Sequence, residues 1–98
     1  MNDVAVGDIF SGLSSVLTAN YFDIQPSAGV EAVIHNIYHD GDIQLEFYDG
    51  TNSLVFDTVV GDGVYTRYNF HVINTRRIRV KNTASTTQLI GYDGVQTK

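Results

Sequence analysis

Four Asp-Gly dipeptides, Asp40-Gly41, Asp49-Gly50, Asp62-Gly63 and Asp93-Gly94, cut the chain into short runs, and this punctuation limits what it can fold into. Asp-Gly suits the type I′ hairpin turn, because glycine takes positive φ freely and aspartate tolerates it. Between these marks lie runs rich in Val, Ile, Tyr, Phe and Thr, the residues that fit a pleated, half-buried surface. Residues 42–48 alternate cleanly, with Ile43, Leu45 and Phe47 on one side and Gln44, Glu46 and Tyr48 on the other. A period of two signals a strand with one buried face. Residues 64–72 repeat the pattern, with Val64, Thr66, Tyr68, Phe70 and Val72 set against Tyr65, Arg67, Asn69 and His71. Residues 77–81 do so again, with Ile78 and Val80 inward and Arg77, Arg79 and Lys81 outward. In residues 53–59, Leu54 and Phe56 oppose Val55 and Asp57. The run 29–38 is apolar on both faces, as expected of a central strand. Residues 21–25 and 88–92 complete a set of about seven strands, and Pro26 falls at a strand end, where it is tolerated. The expected fold is all-β: an antiparallel β-sandwich, jelly-roll-like or Greek-key. Both Tyr-Asp-Gly tripeptides, at Tyr48 and Tyr92, are expected to be strand-end turns.

Residues 1–20 break this rhythm, and the expected division is an arm at 1–20 followed by the sandwich at 21–98. Asp8 is a fair N-cap, and Ile9, Leu13, Val16 and Leu17 recur at helical spacing, so a short amphipathic helix over 9–17 is one expectation. Gly12, Ser14 and Ser15 weaken it. The arm either packs on its own domain, as that helix or as an extra strand, or leaves it to dock on a neighbour. In the second case Ile9, Phe10, Leu13, Val16 and Leu17 form the grip.

A chain of 98 residues makes one domain and buries only about two-thirds of the surface its unfolded form exposes. Domains this small usually add disulfides, a metal or self-association. There is no cysteine, which removes disulfides, thiolate metal sites and thiol nucleophiles. Self-association is the staple left. The net charge of −5 argues against nucleic acid and against an anionic membrane. Residues 1–7 carry no Lys or Arg and no long apolar run follows, so neither a secretory signal nor a membrane span is expected. The protein is expected to be soluble and made in a cytoplasm.

Chemistry-bearing patterns are sparse. His35 and His39 share a face of a straight strand but stand ~13 Å apart, too far to ligate one ion. Asp40 and Asp42 around Gly41, and Asp57 and Asp62 around Gly61, resemble calcium-loop fragments, yet no EF-hand spacing exists and turn geometry already explains them. No Ser or Thr sits in a nucleophile elbow. No catalytic residue, metal ligand or cofactor is therefore expected. Arg76, Arg77, Arg79 and Lys81 hold four of the six cationic side chains, either as a patch that meets an acidic partner or as a solvated face that discourages edge aggregation. Phe47, Phe56 and Phe70 are expected in the core, and Tyr48, Tyr65 and Tyr92 outward or near loops.

Several stretches carry a family resemblance: Ile34-His35-Asn36-Ile37-Tyr38, Phe47-Tyr48-Asp49-Gly50-Thr51, Asn69-Phe70-His71-Val72, Arg79-Val80-Lys81-Asn82-Thr83 and Ile90-Gly91-Tyr92-Asp93-Gly94-Val95. From about Val30 onward the chain resembles short tailed-bacteriophage virion proteins, the accessory proteins of the head of the decoration or cement kind. The resemblance implies a place on the outer capsid surface, with the major capsid protein or other virion proteins as partners. It implies no catalytic residue. A homotrimer over the lattice's symmetry positions is the expected assembly. A tail, collar or fibre component, or a carbohydrate-binding attachment module, is the alternative.

Overall fold

The computed structural model describes residues 7–67 and 69–98. Among them nine strands run in chain order: β1 (Ile9–Val16), β2 (Tyr21–Ile24), β3 (Glu31–His39), β4 (Ile43–Tyr48), β5 (Ser53–Val59), β6 (Gly63–Tyr65), β7 (Phe70–Ile73), β8 (Arg77–Asn82) and β9 (Gln88–Gln96). They form two antiparallel sheets. The first has the order β1-β9-β3-β6, with β7 also on β3, and the second has the order β2-β8-β4-β5. Counting β6 and β7 as one interrupted strand, successive strands swap sheets in the manner of a jelly roll, except at the β4–β5 hairpin, whose two strands share the second sheet. The expected sandwich is therefore the fold.

Packing follows from the alternation. Ile34, Ile37 and Ile90 of the first sheet meet Ile24, Ile43, Leu45, Ile78 and Val80 of the second, all essentially out of water. Tyr92 closes one end, its ring 5.5 Å from Phe10 and 5.6 Å from Phe22. Phe56 and Phe70, 5.4 Å apart, pack against the same core, as expected.

The segment read as a possible helix, 9–17, is instead an extra strand. β1 pairs with β9 at eight consecutive positions, from Ile9↔Val95 to Val16↔Gln88. Ile9, Leu13 and Leu17 satisfy period two as well as a helical period, and Gly12 permits what a larger residue forbids: a Cβ there would meet the Tyr92 ring at 2.9 Å. The described residues of 1–20 thus belong to the sandwich, and the expected boundary at 20/21 does not divide it. Residues 1–6 lie outside the described part.

Three further expectations are corrected. Asp93-Gly94 is no turn, because β9 runs through it to Gln96. There β3 shifts register between Ile34 and Asn36, bulging His35 outward, and a Cβ on Gly94 would lie 1.9 Å from the Val33 carbonyl oxygen. Nor does any described Asp-Gly adopt type I′ geometry, since Ala19 is the lone non-glycine with positive φ among the described residues. Asp49 makes its turn differently, its Oδ1 accepting the amides of Thr51 at 2.9 Å and Asn52 at 2.6 Å. Finally, 64–72 is two strands. Having crossed the bulge, β3 presents Ile34 and Ile37 to the same core, so its neighbour must change phase too. β6 pairs at Ile37↔Tyr65 and β7 at Ile34↔Phe70. Tyr65, expected outward, is buried, and its hydroxyl donates to Asp57 at 2.8 Å. Val64, expected inward, is exposed. The expectation for Tyr68 falls outside the described residues.

Phe47 faces inward by alternation yet stays 39% exposed, together with its partner Leu54. The two flank the tip of the β4–β5 hairpin, where the alternation sets direction but does not bring burial.

Candidate contact surfaces

The outward faces of the two sheets differ in kind. On the first sheet the registers line up Ile9–Val95–Val33–His71 as one row and Leu13–Gly91–Tyr38–Val64 as another. Ile9, Leu13, Tyr38, Val64 and Leu89 are all exposed. Between the rows the Asp93 carboxylate accepts hydrogen bonds from Asn36 Nδ2 at 2.6 Å and Tyr38 Oη at 2.5 Å. The Asp93 hydrogen bond pushes the Tyr38 hydroxyl above its ordinary pKa, with burial and the carboxylate charge adding. This face carries exposed apolar side chains on either side of the Ser11–Asp93–Asn36 row, and at its rim Glu31 lies 3.7 Å from the Lys98 ammonium.

The outward face of the second sheet is charged and aromatic. Arg77, Arg79 and Lys81 share it, as their spacing predicted. Arg79 Nε donates to Asp23 Oδ1 at 2.9 Å, and Arg77 stands 3.6 Å from the other oxygen of that carboxylate. The Arg79 guanidinium lies 3.9 Å from the Tyr21 ring centroid and 4.4 Å from that of Tyr48, and Arg77 lies 4.7 Å from Tyr48. Beneath this stack Glu46 is buried and accepts hydrogen bonds from Ser53 Oγ and, at 2.9 Å, from Gln44 Nε2. Burial pushes the Glu46 carboxyl up. The bonds from Ser53, Gln44 and Tyr21, with the Arg79 charge, outweigh it and hold the carboxyl below its ordinary range. The basic cluster is thus largely engaged within its own sheet. Arg76 is not part of it: that residue sits in the tight β7–β8 turn, exposed, with its backbone bonded to Ile73.

The five apolar residues expected to act as one grip are divided by the strand. Ile9 (72% exposed) and Leu13 (69%) point to solvent, as does Leu17 beyond the strand end, whereas Val16 is buried and Phe10 half-buried inside the sandwich. Asp23, Glu46, Tyr21 and Tyr48 escaped sequence reasoning as partners of the arginines, because cross-strand register carries no local signal.

The other expectations resolve individually. The bulge separates His35, exposed, from His39, buried with Nδ1 3.0 Å from the Gly41 carbonyl oxygen. Asp40 accepts the Leu89 amide, Asp42 the Gly61 amide, and Asp57 the Tyr65 hydroxyl. Among the described residues no group of three or more His, Asp or Glu gathers as a metal site would require. Tyr92, expected outward, is half-buried between Phe10 and Phe22, and that burial pushes its hydroxyl up. One open hollow of ≈ 240 Å³ lies among Gly29, Glu31, Ile73, Asn74 and Lys98. That is below the roughly 300–1,000 Å³ of small-molecule clefts.

No family model matches the chain, and no curated protein does. Among solved structures it is similar to CapF, in the crystal structure with the inhibitor 3-isopropenyl-tropolone, at 11% identity and a TM-score of 0.45. The match covers 97% of this chain and 26% of that one, so the chain spans about a quarter of that protein's length. At this distance the likeness carries no functional argument.

Proposed function

We propose that this chain is a non-catalytic contact module, and specifically a decoration protein on the outer head lattice of a tailed phage. The outward face of the first sheet carries the proposal: Ile9, Leu13, Tyr38, Val64 and Leu89 are all exposed on it, and its central carboxylate, Asp93, is held by Asn36 and Tyr38. Exposed apolar side chains gathered on one face, here in rows divided by Ser11, Asp93 and Asn36, support protein contact. The shallow hollow and the hydrogen-bonded carboxylates favour contact over turnover. The phage head as location rests on the sequence resemblance alone. Repeated modest contacts over a lattice add up through multivalency.

Gel densitometry of purified virions tests the location. A fixed, high ratio to the major capsid protein is expected. A few copies per particle favours the tail, collar or fibre reading, and absence from the particle refutes both. The double variant Val64→Lys/Leu89→Lys, altered only at exposed positions, is expected to lose most of its capsid occupancy while melting like the parent. The exposed Tyr21 and Tyr38 rings support the carbohydrate-binding alternative. Selective retention of a glycan class on an array supports that reading, and a flat response counts against it.

A further inference from the structure

β1 is an edge strand, and its character differs from that of every other edge in the described fold. It runs for eight residues, Ile9-Phe10-Ser11-Gly12-Leu13-Ser14-Ser15-Val16, with no charge, no proline and no register shift against β9. At the opposite border of its sheet, β6 and β7 have three and four residues. In the second sheet, β2 has four residues and carries Asp23, whereas β5 carries Asp57 and a register shift. Short length, charge and bulges are the devices that keep sheet edges from pairing with other chains. β1 has none of them.

Its free backbone can be assigned by alternation. Gln96 N donates to the Asp8 carbonyl at 3.0 Å, and Gly7 N to the Gln96 carbonyl at 2.8 Å, so the Asp8 carbonyl faces β9. Antiparallel ladders alternate, so Phe10, Gly12, Ser14 and Val16 bond to β9, and Ile9, Ser11, Leu13 and Ser15 turn their amides and carbonyls away from it. Among the described residues the Ser15 carbonyl receives only the neighbouring Ser14 hydroxyl, at 3.3 Å.

We infer that β1 pairs antiparallel with β1 of a second copy of this chain, joining the two first sheets across a two-fold axis near Gly12. The strand is self-complementary in that register. Ser11 meets the partner's Leu13 and Ile9 meets the partner's Ser15, every pair falls on positions whose backbone faces outward, and the two Leu13 side chains become diagonal neighbours. Charge selects the same edge. Two copies at −5 each repel, and this uncharged strand lets them meet without opposing like charges. Gly12 leaves the axis uncrowded. Pairing of this kind is isologous and closes at two copies. The inference goes beyond the capsid reading and stands whether or not the chain meets a capsid.

Sedimentation of the whole chain, with amide exchange followed by NMR, tests it. The parent is expected to sediment as a dimer in which the Ile9, Ser11, Leu13 and Ser15 amides are protected. Leu13→Lys places a charge on an exposed edge side chain, and Ser11→Pro removes an amide hydrogen that the β1–β9 ladder does not use. Each variant is expected to weaken association by about tenfold or more and to lose that protection. The thermal transition extrapolated to low concentration is expected to be kept. A monomeric parent overturns the inference, as does a dimer in which these four amides exchange freely. Protection that persists in a monomer also overturns it, because a second copy would then not be its source.

Discussion

A methyl group has nowhere to go at Gly94. Its Cβ would lie 1.9 Å from the Val33 carbonyl oxygen and 2.8 Å from Ile34 Cα, both backbone atoms of the central strand. Gly94→Ala must therefore force β3 and β9 apart, and a loss of about 2–4 kcal/mol is expected, read as a lower urea midpoint. Gly91→Ala provides the contrast: its nearest contacts are the exposed Leu13 Cδ1 at 2.9 Å, a side chain that can swing aside, and the Gly12 carbonyl oxygen at 3.0 Å, against 1.9 Å at Gly94, so a smaller loss is expected. Asn82 is the polar counterpart. Fully buried, it donates to the Val16 and Thr86 carbonyls and accepts from the Ala84 amide and Gln88 Nε2, tying the ends of β1, β8 and β9 together. Asn82→Ala removes all four bonds from a buried site, though Gln88 Nε2 keeps its bond to the Asp42 carbonyl, and a loss of roughly 2–4 kcal/mol is expected in the same measurement. Neither role was legible in the sequence. Gly94 looked like turn chemistry and Asn82 fell outside the expected strand 77–81, because the atoms that constrain them lie on strands distant along the chain.

Among the elements, β8 and its neighbours show what alternation can and cannot tell. That Arg77, Arg79 and Lys81 share a face was legible, since it follows from period two alone. That Tyr21, Asp23, Glu46 and Tyr48 lie beneath and between them was not, since it depends on which strands pair and in what register. The consequence is a pH dependence. Glu46 is held below its ordinary pKa in the folded state. It therefore adds stability at pH values above the unfolded carboxyl pKa, and that contribution is lost as pH falls through the lower folded value. Glu46→Gln is expected to be less stable than the parent at pH 7, by roughly 1 kcal/mol, with the gap closing in acid as the parent carboxyl protonates. Urea midpoints of both proteins across the acid range check this, and a gap that stays constant with pH contradicts it. β1 carries a separate lesson. Ile9, Leu13 and Leu17 fit two periods at once, and pairing with β9 decided between them. Because β1 is built into the first sheet, deleting it exposes the core and bares β9. Surface substitutions, not truncations, are the way to probe what it binds.

The whole molecule is an acidic jelly roll with one broad face rich in exposed apolar side chains and, beside it, one uncharged edge. Self-association through that edge brings like net charges together, so its salt dependence has a definite sign. From about 0.01 M to 0.15 M ionic strength the screening length falls from roughly 30 Å to roughly 8 Å, and sedimentation is expected to show tighter dimers at the higher salt. Weaker association at the higher salt would mean that complementary charges, not the neutral strand, hold the copies together. By itself the sequence determined that the chain is all-β, where most strands lie and which side chains alternate along them, because period two and β-propensity act over a few residues. Only the tertiary structure decided the jelly-roll order, the His35 bulge that changes the phase of β6 against β7, the burial of Tyr65 and Glu46, and the exposure of an uncharged β1 edge. Those outcomes depend on contacts between residues far apart in the chain, and local alternation carries no information about which distant strand will lie alongside.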